Sequence, residues 1–227
     1  MNDGDLNRLQ QTLGFSFRNP GILEQAFTHS SYVNEHKHAR HNERLEYLGD
    51  AVLELAVSEY LFHRFPNLPE GELTLIRASV VCEPSLHEIS RELKFGDYVL
   101  LGRGEELGGG RERPALLADV FEAFIGALYL DQGYPAVVRF LERHLFPKIN
   151  RQYRLDAKSR LQQMLQQADL GNPVYRLVEE QGSGPGKRFV CEVLVGGKPS
   201  GSGVGRTKKE AEQKAAEEAL ERLGYGR

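Results

Sequence analysis

Four carboxylates stand where carboxylates are costly. Glu46 and Asp50 lie four residues apart in the apolar-periodic stretch Leu45–Phe65, surrounded by Leu45, Leu48, Val52, Leu53 and Leu55. Asp119 and Glu122 lie three apart in the run Ala115–Leu130, which has no other charge. At helical spacing each pair shares a face, and a helix apolar on nearly all sides is a buried one. Like charges on one buried face repel and lose hydration. A cation between them offsets both costs. Glu43 stands one turn upstream of Glu46. Two helices that each offer a pair of acids build an oxygen-only cage, which favours Mg²⁺ or Mn²⁺ over zinc. Such ions activate water and stabilise a leaving oxygen in phosphodiester cleavage. The alternative reading is a solvated helix face, or acids paired with buried arginines. Surface charge runs usually alternate with Lys or Arg, and Ala115–Leu130 has neither.

A second chemistry sits at the end of the chain. Lys208 and Lys209 open the last helical stretch and Lys214 lies on its next turn. Backbone N–H groups and the dipole at a helix N-terminus favour anions. Cations there work against the dipole, which points to a phosphate ligand. Gln162 and Gln166, on a short helix over 157–168, have the reach for 2′-hydroxyls and base edges across a shallow minor groove. Plain helix surface is the alternative for both amides. His36, His38 and His41 lack the partners and spacing of a structural zinc site. The glycines between Gly102 and Gly110 do not spell a dinucleotide fingerprint, so a flexible connection is expected there.

The elements that must carry these residues change character along the chain. Residues 1–152 read as helical almost throughout. Leu6, Leu9 and Leu13 recur at helical spacing, Pro66 and Pro69 end the long stretch that holds Glu46, and Pro114 opens the one that holds Asp119. Further helices are expected over Leu73–Cys82, Leu86–Leu93 and from Tyr134 towards Arg151. After Tyr153 the period shortens. Tyr175–Val178 and Phe189–Val195 read as strands, Gly196-Gly197 as a hairpin turn, and Ser200–Gly205 as a third strand. Thr207 and Glu210 form a capping box for a helix from Lys208 to Leu223. The expected fold is an all-α domain over residues 1–152, a linker at 153–156 and an α+β domain of order α-β-β-β-α over 157–227.

Composition narrows the class. The net charge is −3, yet residues 156–227 hold 12 basic and 10 acidic side chains against 17 and 22 in the rest. An acidic front and a mildly basic tail suggest two units with different tasks. No apolar run approaches the roughly 20 residues needed to cross a bilayer. The acidic start Met1–Asp5 does not read as a secretory signal. Cys82 and Cys191 make no disulfide framework, and a reducing cytoplasm fits them best.

The run His41-Asn42-Glu43-Arg44-Leu45-Glu46-Tyr47-Leu48-Gly49-Asp50-Ala51-Val52-Leu53 closely resembles the motif of bacterial ribonuclease III. Leu117–Ala127 resembles that family's second acidic motif, and Phe27–Tyr32 and Pro69–Thr74 are similar to other family segments. Lys158 to Leu223 is similar to the double-stranded RNA-binding domain that follows in the same enzymes. The resemblance covers nearly the whole chain in the right order. It implies that Glu46, Asp50, Asp119 and Glu122 are metal ligands, with Asp50 and Glu122 closest to catalysis and Glu122 binding metal most directly at the cleavage step. Glu43 and Glu70 fall on accessory acidic positions, Glu70 near the partner subunit. Ser159, Gln162, Gln166, Lys208, Lys209 and Lys214 match RNA-contacting positions. The loop Gly182–Lys187 departs from the family's Gly-Pro-x-His-x-Lys, with Pro185 in the histidine's place, and Asp156-Ala157-Lys158 departs from Asp-Pro-Lys.

The expected function is a Mg²⁺-dependent endonuclease of double-stranded RNA, with Mn²⁺ able to substitute. Attack of an activated water in line would leave 5′-phosphate and 3′-hydroxyl ends. The resemblance adds short 3′ overhangs and the processing of ribosomal precursors and other structured RNAs, messenger and transfer RNA included. One acidic cluster per chain and two strands per duplex predict a symmetric homodimer. No membrane and no organic cofactor are expected. A non-catalytic double-stranded RNA-binding dimer is the rival, and it predicts loss of some of the four acids. A helical Mg²⁺ enzyme acting on prenyl diphosphates is another, and it gives no reason for the tail.

Overall fold

The computed structural model describes residues 1–149, 157–182 and 186–224. These fall into two compact units, Met1–Pro147 and Lys148–Arg227. The expected linker at 153–156 lies outside the described residues.

Helices build the first unit, and local signals set their starts. Asn2 accepts the N–H of Asp5 at 2.8 Å and caps α1 (Asp3–Leu13). Asn19 does the same for Gly21 ahead of α2 (Pro20–Ala26), where proline occupies the first turn. Next come α3 (Ser30–Glu35), α4 (Glu43–Arg64), α5 (Glu70–Val80) and α6 (Glu83–Glu92). The glycine-rich segment is not the open connection expected from its composition. It holds a short helix, α7 (Arg103–Leu107), and a 3-10 turn at Gly110–Glu112. Arg111 is the reason. Its guanidinium forks onto Glu106 at 2.6 and 2.7 Å and donates to the carbonyls of Gly96 and Val99 at 2.8 Å each. Then follow α8 (Pro114–Gln132) and α9 (Tyr134–His144).

The core gathers around α8. Eleven of its residues are buried, Phe121 and Phe124 among them. Phe124 meets Phe140 at 4.8 Å and Phe95 at 5.6 Å between ring centroids, and Phe27 meets Phe95 at 4.9 Å. Such edge-on contacts add to the gain from area burial.

One approach fixes where α4 lies on α8. A Cβ on Gly49 would sit 1.7 Å from the carbonyl oxygen of Glu122, and one on Gly126 would sit 2.2 Å from that of Leu45. The helices therefore cross backbone to backbone, and only glycine fits at either position.

In the second unit α10 (Ala157–Gln167) precedes β1 (Val174–Gln181), β2 (Arg188–Val195) and β3 (Lys198–Gly205), and α11 (Lys208–Arg222) closes the fold. The sheet is antiparallel in the order β1-β2-β3, with Leu177 opposite Cys191 and Val193 opposite Gly201. Gly196 and Gly197 turn the second hairpin at φ of 55° and 79°. Leu161, Leu165, Val193, Ala215, Ala216, Ala219 and Leu220 share the core. The glycines of β3 seat α11. A Cβ on Gly203 would lie 2.2 Å from the carbonyl oxygen of Ala211, and one on Gly201 2.3 Å from that of Ala215.

The α4–α8 crossing makes a stability prediction. Gly126→Ala should cost about 1–3 kcal/mol by overpacking. Gly71→Ala, on α5 with nothing within 4 Å of the added atom, should be neutral or slightly stabilising. Thermal melts of the two variants check this. Equal melting temperatures would show that the crossing does not limit stability.

Candidate functional site

The crossing brings acids from α4 and α8 together. Glu46, Asp119 and Glu122 each offer a carboxylate oxygen within 4.8 Å of the other two, and they are the one such group among the described residues. Burial pushes the Glu122 carboxyl up to about 8, helped by the charges of Asp50, Asp119, Glu46 and Glu54. Glu46 is raised by burial and then by Asp119, Glu43 and Asp50. Asp119, though exposed as a residue, is raised by partial desolvation of its carboxyl and by Glu83, with His29 acting the other way. Among the described residues no ion pair reaches Glu46, Asp50, Asp119 or Glu122. Hard oxygen ligands, mutually repelling and lacking a protein cation, are the donor set of a divalent metal site.

One expectation needs correction. Asp119 and Glu122 are not sealed in the core. Asp119 is exposed and Glu122 half-buried, because positions 115, 119 and 122 form the one side of α8 that the surrounding helices leave open. The four acids differ in how closely they approach one another. Asp50 is exposed and stands outside the close trio, while its charge still acts on Glu46 and Glu122. Glu43, also exposed, lies 3.6 Å from His41 and raises Glu46. Glu70 accepts from the Thr74 hydroxyl at 3.0 Å and is not among the charges acting on the trio. Sequence reasoning passed over Glu54, Glu83 and His29. Glu54 is two turns beyond Glu46 on α4, so its spacing carried a signal. Glu83 and His29 reach Asp119 from other elements and carried none.

The second unit presents the other candidate residues. Ser159, Gln162 and Gln166 are exposed on α10 at spacings of three and four, hence on one face. Gln166 reaches Asn172 at 3.4 Å. Lys208, Lys209 and Lys214 are exposed on α11. Thr207 caps that helix by accepting the N–H of Glu210 at 3.1 Å. The return half of the expected capping box is shifted by one residue, since the Glu210 carboxylate accepts from the N–H of Arg206 at 2.8 Å. Lys214 donates to the Val204 carbonyl at 2.9 Å and pairs with Glu210 at 2.8 Å, which ties it to the end of β3. Pro185, the departure in the loop, lies outside the described residues.

Comparison with known proteins agrees with both halves. The Ribonuclease-III-like family matches residues 19–149, and the Double-stranded RNA binding motif matches residues 157–223. "Ribonuclease 3" of Geobacillus kaustophilus is 59% identical over 220 residues, which cover 95% of this chain and 89% of that protein. "Ribonuclease 3" of Oceanobacillus iheyensis is 54% identical over 224 residues, covering 96% and 98%. The crystal structure of the nuclease domain of ribonuclease III from Campylobacter jejuni is 41% identical with a TM-score of 0.58, covering 63% of this chain and 93% of that one. A second structure of that domain, concerned with flexibility in a region involved in its dimer formation, is 42% identical with a TM-score of 0.57, covering 63% and 99%. With a helical nuclease domain followed by a double-stranded RNA-binding fold, the chain belongs to the ribonuclease III family.

Proposed function

We propose that this chain hydrolyses both strands of duplex RNA, using divalent ions held by Glu46, Asp50, Asp119 and Glu122. The carrying observation is the trio of carboxylates that converges within 4.8 Å at the helix crossing. Oxygen-only donors favour Mg²⁺, with Mn²⁺ as a substitute. Bound there, such an ion supplies Lewis acidity to a phosphodiester and a more acidic water. The chain's own part is to position the carboxylates, whose crowding and burial favour the protonated form until a cation binds. Glu122, with its carboxyl pushed up to about 8, must give up its proton before it can serve. Asp50 and Glu43 act on the trio by charge, and Glu70 is an accessory acid. The products are 5′-phosphate and 3′-hydroxyl ends with short 3′ overhangs, from ribosomal precursors and other structured RNAs.

Residues 1–152 serve as the nuclease domain and 157–227 as the RNA-binding domain, joined at 153–156. The binding domain reads duplex shape, with Ser159, Gln162 and Gln166 in a minor groove and Lys208, Lys209 and Lys214 on phosphates. Two copies act together, one site per strand. In support, α4 exposes Tyr47, Leu55 and Phe62 at 82%, 59% and 67%, at spacings of eight and seven that make one stripe. The cytoplasm is the proposed location. No helix among the described residues is long and apolar enough to cross a membrane, and Cys82 and Cys191 are both free.

Glu122→Gln should lower duplex cleavage by on the order of 10³-fold, the rate equivalent of several kcal/mol of lost charge stabilisation. Duplex binding in a gel shift should persist, and wild-type cleavage rates in this variant would sink the metal assignment. Lys208→Ala with Lys209→Ala should weaken binding and flatten its salt dependence by about one unit per lysine, read from Kd against salt. Glu122 also makes a pH prediction. Its folded carboxyl titrates near 8 against 4.5 for the unfolded chain, so the folded state holds the extra proton between those values. Without divalent ions, stability should therefore fall as pH rises from about 4.5 to 8. Melting curves across that range check the sign, and Glu122→Gln should flatten the slope.

A further inference from the structure

Glu180 near the end of β1 lies directly opposite Phe189 of β2. Opposed residues of an antiparallel pair share a face of the sheet. On β2 that face continues through Cys191 and Val193, both buried. Glu180 thus stands at the open end of the face that packs towards the helices. One of its carboxylate oxygens takes the Lys187 ammonium at 2.6 Å, and the other faces the Lys208 ammonium at 3.7 Å. Both ammonium groups also lie over the Phe189 ring, 5.1 and 5.9 Å from its centroid. The hydrogen bond from Lys187, with Lys208 adding to it, holds the Glu180 carboxyl below the usual range.

This arrangement answers the oddity of lysines at the start of α11. Lys208 stands at a helix N-terminus, where a cation is disfavoured and an anion favoured. Glu180 supplies an anion at that point, between the ammonium groups of Lys187 and Lys208. A phosphate oxygen would satisfy the same groups. We propose that Glu180 substitutes for an RNA phosphate in the free domain, holding Lys187 and Lys208 together until duplex RNA displaces it. Lys187 thereby becomes a further phosphate contact. The exchange lowers affinity for any phosphate backbone by the same factor. It leaves the shape-dependent contacts of α10 untouched, so it sets overall affinity while the choice between ligands stays with those contacts.

The proposal rests on the reading of Lys208 as a phosphate contact. It is tested with the full-length chain and a duplex RNA in the absence of divalent ions, measuring Kd across monovalent salt. Glu180→Gln should tighten binding about two- to fivefold at roughly 0.1 M salt and steepen the salt dependence by up to about one unit. In a Lys187→Ala, Lys208→Ala background the same change should have no effect. Glu179→Gln, one residue away, controls for net charge and should change Kd by less. Unchanged or weaker binding in Glu180→Gln overturns the proposal, as does a gain that survives loss of both lysines. If Lys208→Ala with Lys209→Ala leaves binding and salt slope unchanged, the phosphate reading fails instead. A normal loss there beside an inert Glu180→Gln sinks the substitution alone.

Discussion

Everything at the acidic site depends on how closely two helix backbones approach. Gly49 and Gly126 let α4 and α8 touch main chain to main chain, with no room for a Cβ at either. Glu46 is one turn from Gly49 and Glu122 one turn from Gly126, so the contact carries their carboxylates to the same place. Wider spacing would move the two acids apart and let water between them. The repulsion that raises Glu46 and Glu122 is the other consequence of that approach. Close packing therefore sets the charge problem that a divalent ion would solve.

The two units handle charge in opposite ways. At the acidic site of the first, carboxylates crowd together with no ion pair among the described residues and are raised by burial and by one another. In the second, lysines are exposed but individually engaged, Lys214 by Glu210 and Val204, Lys208 by Glu180. The first arrangement is costly until a metal arrives. The second loses little in water, where exposed pairs are weak and exchangeable. Both suit a polyanionic ligand that needs metal at the reacting phosphate and cations elsewhere along its backbone.

The second unit repeats the packing logic of the first with smaller residues. Glycines of β3 let α11 settle against the sheet through Ala211, Ala215 and Ala219. That contact sets where the start of α11 stands relative to the ends of β1 and β2. Lys208 consequently reaches Glu180 and Phe189, residues about 20 to 30 positions earlier in the chain.

Sequence alone determined the residue types, the helical spacing that puts Glu46 with Asp50 and Asp119 with Glu122, the α-β-β-β-α order, and the family motifs. These are local properties, written in periodicity, caps and turn residues. Tertiary structure decided which acids meet. It drew Glu46, Asp119 and Glu122 into a trio, left Asp50 outside it, opened Asp119 to solvent and brought His29 and Glu83 near. It also turned the glycine-rich segment into an ordered turn around Arg111. Spacing along one helix says which residues share a face. Which faces meet, and how near, is set by backbone contacts between residues some seventy positions apart, as at Gly49 and Glu122, and no local pattern records that distance.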